Sequence, residues 1–129
     1  MANDFTALGS ALYAALGGTA AVPAVYYGLA PQGGTPPYVI IQRQAAVDEY
    51  TFTSQGISAD YVIKVVSNRH WPGEAWQAYG TVHATIQAAA LTIAGYTPLR
   101  FERRSTVEYI DPGRFWHVGG IYRVEAWAT

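Results

Sequence analysis

Cysteine is absent from this chain of 129 residues. That excludes disulfides and cysteine–zinc sites, and it fits an intracellular setting. Charge is scarce. Asp, Glu, Lys and Arg together make up 13% of the residues, and the net charge is −1. A globular domain usually carries about 25%. A chain so nearly neutral lacks the basic stripe that nucleic-acid binding requires. No uninterrupted apolar run reaches the ~18 residues of a membrane span. The N-terminus has no basic segment ahead of an apolar one, so no secretory signal is expected. Phosphate-cradling loops are missing too: neither G-x-x-x-x-G-K nor G-x-G-x-x-G stands between a strand and a helix.

What is abundant is apolar residue. Half of the sequence (50%) is hydrophobic. A chain of this length folds as one domain, 1–129, with a core of real size. With few charges to cover its surface, part of that surface is expected to be buried against other chains. The alternative is a monomer rich in Tyr and Ala.

The chain is organised around its last stretch, Leu99 to Thr129. Two β-rich runs, Phe101 to Tyr109 and Phe115 to Trp127, flank the turn signal Asp111-Pro112-Gly113. Ahead of them, Asn3-Asp4 caps a first helix that Gly17-Gly18 ends, with Phe5, Leu8, Leu12 and Leu16 at helical spacing. Val25 to Tyr27 reads as a short strand, and Gly28 to Pro37 as a loop. Tyr38 to Gln44 and Ala59 to Ser67 read as strands. In the second, Tyr61, Ile63 and Val65 point one way, and Asp60, Val62, Lys64 and Val66 the other. Ala45 to Gly56 between them is too long for a tight turn and alternates in part, as an extended hairpin tip or arm would. Pro72 and Glu74 open a second helix with Trp76, Tyr79, His83, Ile86 and Ala90 in a stripe. Gly80 on that helix suggests a close approach to the sheet. The order predicts an α+β fold: a mainly antiparallel four- to five-stranded sheet with two helices packed on one face. Leu8, Leu12, Ile40, Ile63, Val65, Ile86, Val107 and Val124 are its expected core.

Candidate chemistry is thin. His70, His83 and His117 do not stand at metal-ligand spacing, so no metal site is expected; His83 reads as a packed histidine with a bonded partner. Glu102 and Glu108 lie six residues apart, roughly 20 Å along a strand, too far for a glycosidase pair. No G-x-S-x-G elbow exists. Neither catalytic residues nor a cofactor are expected. The one basic cluster, Arg100, Arg103 and Arg104, encloses Glu102. Arg103 interrupts the apolar parity of Phe101, Val107 and Tyr109, as an arginine meeting a carboxylate across an interface would. On the final strand Tyr122, Val124 and Ala126 form one face. Ile121, Arg123, Glu125 and Trp127 form a second, mixed face. That face suits either an interface or cover by the chain's own loop, Gly28 to Pro37. Arg103, Arg104, Arg123 and Trp127 are therefore the expected oligomer contacts. Asp48, Glu49, Tyr50 and Phe52 offer charge for steering and aromatics for anchoring a partner.

The order of segments also resembles a known family. An A-L-Y-A-A-L helix is followed by V-Y-Y-G-L-A-P, P-P-Y-V-I-I, D-Y-V-I-K-V-V-S, a W-x-A-Y-G-x-V helix and a final H-V-G-G-I-Y-R-V-E-A-W. This is similar to the tail terminator, or tail-completion, proteins of long-tailed bacteriophages, over nearly the whole chain. The resemblance implies a virion structural protein without catalytic residues, assembled in the host cytoplasm. It implies a hexameric ring at the head-proximal neck of the tail. Such a ring stops tube polymerisation, meets the tail tube protein and the head-completion proteins, and lets DNA pass without binding it specifically. The alternatives are a head-closure or connector protein of the same neck, and a ligand-binding α+β module built on Tyr38, Tyr61 and Trp76.

Overall fold

Alternation of apolar residues drives four long strands, and two alanine-rich helices cover one side of them. The computed structural model describes residues 4–17, 24–28, 35–50, 55–88, 93 and 95–128; within these, the side chains of 4–8, 45–50, 55, 99 and 128 fall outside the description. The chain runs α1 (Asp4–Gly17), β1 (Ala24–Tyr27), β2 (Tyr38–Tyr50), β3 (Gln55–Ser67), α2 (Gly73–Ala88), β4 (Tyr96–Ile110) and β5 (Trp116–Ala128). The fold is α+β, as the element order predicts.

The described strands form one five-stranded sheet in the order β1-β2-β3-β5-β4. It is mixed rather than purely antiparallel, because β1 runs parallel to β2, pairing Ala24 to Tyr27 with Tyr38 to Ile41. The other three pairings are antiparallel.

Both helices bury into one face. A single cluster joins Leu12 and Leu16 of α1 with Ala75, Tyr79, Val82 and Ile86 of α2. Beneath them lie Val39 and Ile41 of β2, Tyr61, Ile63 and Val65 of β3, and Val118, Tyr122 and Val124 of β5. Burying each large aliphatic side chain here stabilises the fold by about 1.5–3 kcal/mol. Ile40 is buried on the opposite face, whose β3 residues Val62, Lys64 and Val66 are also largely covered. Leu8 lies outside the described side chains.

Two expectations need correction. Val107 is only half-buried and does not join the core. A register shift between Arg103 and Ser105 inserts an extra residue into β4, and a bulge of one residue exchanges the faces of everything after it. Phe101 and Arg103 therefore face the helices, as do Thr106 and Glu108, whereas Val107 and Tyr109 turn to the opposite face across from Gly119 and His117. Gly80 does not approach the sheet: a Cβ there would meet nothing within 4 Å.

The segment Ala45 to Gly56 is mostly strand. Tyr50 pairs with Gln55, Glu49 with Gly56 and Asp48 with Ile57, so the β2–β3 hairpin continues well past its apolar half. It is an arm, as the partial alternation of Tyr50 and Phe52 suggested.

Candidate functional site

One of the expected interface arginines, Arg103, is placed by unusual local packing. Strand β5 carries Gly119 and Gly120 in its centre, where glycine ordinarily weakens a strand. A Cβ at Gly120 would stand 2.6 Å from the Tyr79 hydroxyl and 2.8 Å from Cδ of Arg103. The missing side chain is thus the space into which α2 lowers Tyr79 and β4 lays the Arg103 stem.

A chain of hydrogen bonds results. Arg103 donates from Nη1 to the Tyr79 hydroxyl at 3.3 Å, with its guanidinium 6.0 Å from the centre of the Tyr79 ring. The Tyr79 and Tyr122 hydroxyls are bonded at 2.5 Å, and the Tyr122 hydroxyl meets Nδ1 of His83 at 2.7 Å. Arginine can only donate. The Tyr79 hydroxyl therefore accepts from it. Burial, helped by the nearby Arg103 charge, holds the His83 pKa below its ordinary value. Burial pushes the Tyr122 hydroxyl well above the usual tyrosine range. The bond to Tyr79 holds Arg103 more firmly protonated. His83 is thus a packed, bonded histidine.

Beside this network, between the end of α2 and β4, lies a groove of about 290 Å³ lined by His83, Ile86, Gln87, Phe101, Arg103 and Tyr122, among others. Arg104, the neighbour of Arg103, is exposed and makes an ion pair with Glu102 at 3.1 Å. Arg100 reaches the same carboxylate at 3.4 Å and Glu125 at 3.9 Å. Exposed pairs of this kind contribute roughly 0–1 kcal/mol each, so the arginines remain available to other partners.

Arg123 sits on the opposite face of the sheet. It holds Asp60 with two bonds, Nε to Oδ1 at 3.0 Å and Nη2 to Oδ2 at 3.2 Å. Trp127 is half-buried beside Gly56, where an added Cβ would lie 3.1 Å from the indole. The four expected interface residues thus do not form one patch: Arg103 and Arg104 follow each other on β4, while Arg123 and Trp127 share the second face of β5.

The expected partner-binding residues lie on the arm. Asp48, Glu49 and Tyr50 close β2; Phe52 lies outside the described residues. At the far end of the sheet stands a group that sequence reasoning missed. Trp71 is 75% exposed, and Trp116 donates to the carbonyl of the adjacent His70 at 3.2 Å. Ile110 pairs with Trp116 and is itself exposed. The W-P-G before α2 was the signal, read only as a helix start.

The aromatics proposed for a ligand module do not converge. Tyr61 is buried in the core and Trp76 bonds Glu108 at 2.6 Å. Tyr38 packs against Tyr26. Among the described residues no group of three or more His, Cys, Asp or Glu could hold a metal ion. No described helix is long and apolar enough to cross a membrane.

Comparison with known proteins gives one family and one fold. The family model described as tail completion protein gp17 matches residues 6–128. No curated protein matches. Among solved structures, a chain of one titled "Virion of native gene transfer agent (GTA) particle" is similar, with a TM-score of 0.85 and 19% identity. The alignment covers 99% of this chain and 100% of that chain. At that identity the likeness is one of fold.

Proposed function

This chain belongs to the tail completion protein gp17 family, and from that premise we propose that it forms a closed ring on the head-proximal end of a phage tail tube. Membership makes it a structural component of the virion. The finer role is to stop tube polymerisation and to offer the head-completion proteins a docking surface. The match across residues 6–128 carries this reading.

Physical features support it. Low charge leaves a surface that favours protein contact and lets DNA pass without being held. A hexamer of heterologous contacts closes on itself and cannot grow, which is what a terminator needs. The role is structural, with no catalytic step. The β2–β3 arm is the contact with the tube: Tyr50 and Phe52 anchor, and Asp48 and Glu49 steer.

Replacing Tyr50 and Phe52 together with serine tests the tube contact. The ring should still form, while assembled tails should lose uniform length and fail to join heads. Tails of normal length that still take heads would exclude the arm and leave the opposite ring face, with Trp71, as the contact.

A further inference from the structure

The groove between the end of α2 and β4 holds an arginine that no described carboxylate answers. Arg69, Arg100, Arg104 and Arg123 each meet a carboxylate. Among the described residues Arg103 meets none, and bonds the neutral Tyr79 hydroxyl instead. A guanidinium carries its N–H groups in a planar fork that suits a carboxylate.

We propose that this groove receives a carboxylate side chain, with an apolar residue beside it, from a partner protein. The proposal goes beyond the ring reading and does not depend on it. Three observations carry it. The first is that Arg103 is set in place before any ligand arrives. Its stem lies in the space that Gly120 leaves open, where a Cβ would stand 2.8 Å from Cδ. Its head is tied to Tyr79, which is bonded to Tyr122, and Tyr122 to His83. An arginine at an exposed strand position otherwise loses rotamer freedom on binding; here much of that freedom is already gone.

The second is charge. Among the described lining residues Arg103 is the lasting cation, because His83 titrates below its ordinary pKa and is neutral near pH 7. Glu102 also lines the groove, but its carboxylate already accepts from Arg104 at 3.1 Å and from Arg100 at 3.4 Å. A single unanswered guanidinium matches a monoanion. A nucleic-acid backbone needs a run of such cations.

The third is the rest of the wall. Ile86 and Phe101 give the groove apolar sides, and the Phe101 ring lies 5.7 Å from that of Tyr122. At about 290 Å³ the space stands near the lower end for ligand sites, ~300–1,000 Å³. It takes a few side chains of a peptide segment and no folded element. Beside such walls an ion pair is stronger than in open water. The ligand that fits is a carboxylate with an apolar neighbour.

Nuclear magnetic resonance on the isotope-labelled protein tests this, with the acetylated, amidated peptide Leu-Glu-Leu as probe and Leu-Gln-Leu as its uncharged match. Leu-Glu-Leu should shift the signals of Arg103, His83, Gln87 and Phe101 saturably. It should bind roughly tenfold more tightly than Leu-Gln-Leu, since the hydrogen bond to a charged group is lost with the charge. Arg103→Gln should remove that difference. Arg103→Lys, which keeps the charge without the fork, should restore part of it. The two peptides are compared first on the unaltered protein, so the result does not hang on the variants folding. Equal binding of the two peptides there, or no saturable shift in the groove, overturns the proposal. So does tighter binding of inorganic phosphate or a short DNA duplex at the same signals, which would give the groove to a nucleic acid. Groove signals that move on dilution with no peptide present would name a second copy as the occupant and overturn it as well. Mass by light scattering on the same samples bears on the ring alone.

Discussion

Tyr122 is the residue on which the helix face depends most. Its hydroxyl joins Tyr79 to His83 at zero exposure. Tyr122→Phe keeps the ring but removes one hydrogen bond from Tyr79 and one from His83, and should cost about 1–3 kcal/mol, read from the denaturant midpoint. His83 gives this site a pH dependence. Its folded pKa lies below its ordinary value, so its contribution is fully present above about pH 6.5. It is lost as pH falls from there through the lowered folded pKa, because the unfolded chain takes up the proton first. His83→Gln should flatten the stability profile in that window; an unchanged profile would contradict the lowered His83 pKa. A different residue sets the β4–β5 turn. Arg114 has φ 67° and donates its N–H to the Asp111 carbonyl. A left-handed conformation costs a non-glycine residue roughly 1–2 kcal/mol. Arg114→Gly should therefore raise the melting temperature, or at worst leave it unchanged.

Among the elements, β4 shows how far a sequence can be read. Its strand character is plain in Phe101 to Tyr109, as is the turn after it. The bulge after Arg103 is not, since no glycine or proline marks it. That is why Val107 was expected in the core: Arg103 does share a face with Phe101, but after the bulge Val107 and Tyr109 do not. The parity of β3 and the final strand was legible because both faces alternate without interruption. The parallel β1–β2 pair was hidden by a connection whose glycines and prolines give loop character and no direction. The arm was only half legible: Ala45, Ala46, Asp48 and Glu49 have low strand propensity, and pairing with β3 holds them. Of the candidate site, the arginines were visible as a cluster, but the hydrogen-bond chain was not. Its members come from α2, β4 and β5, and Gly120, which makes room for it, looks like an ordinary weak point. Gly120→Ala should thus cost about 1–3 kcal/mol through overpacking, with the loss read by thermal melt.

At the scale of the molecule, low charge and membership of a tail completion family support the proposed ring at the end of a tube. Arg104 is exposed and holds, among the described residues, only a surface ion pair with Glu102. Arg104→Glu should therefore leave the unfolding free energy within about 0.5 kcal/mol of wild type while lowering the assembled fraction in light scattering. The measurement that bears most directly on the account is the length of tails, seen by electron microscopy, from particles assembled with and without this protein. With it, tails should be uniform and joined to heads. Without it, tubes should vary in length and stand free of heads. Uniform tails in its absence would contradict the terminator role, whatever ring the protein forms alone.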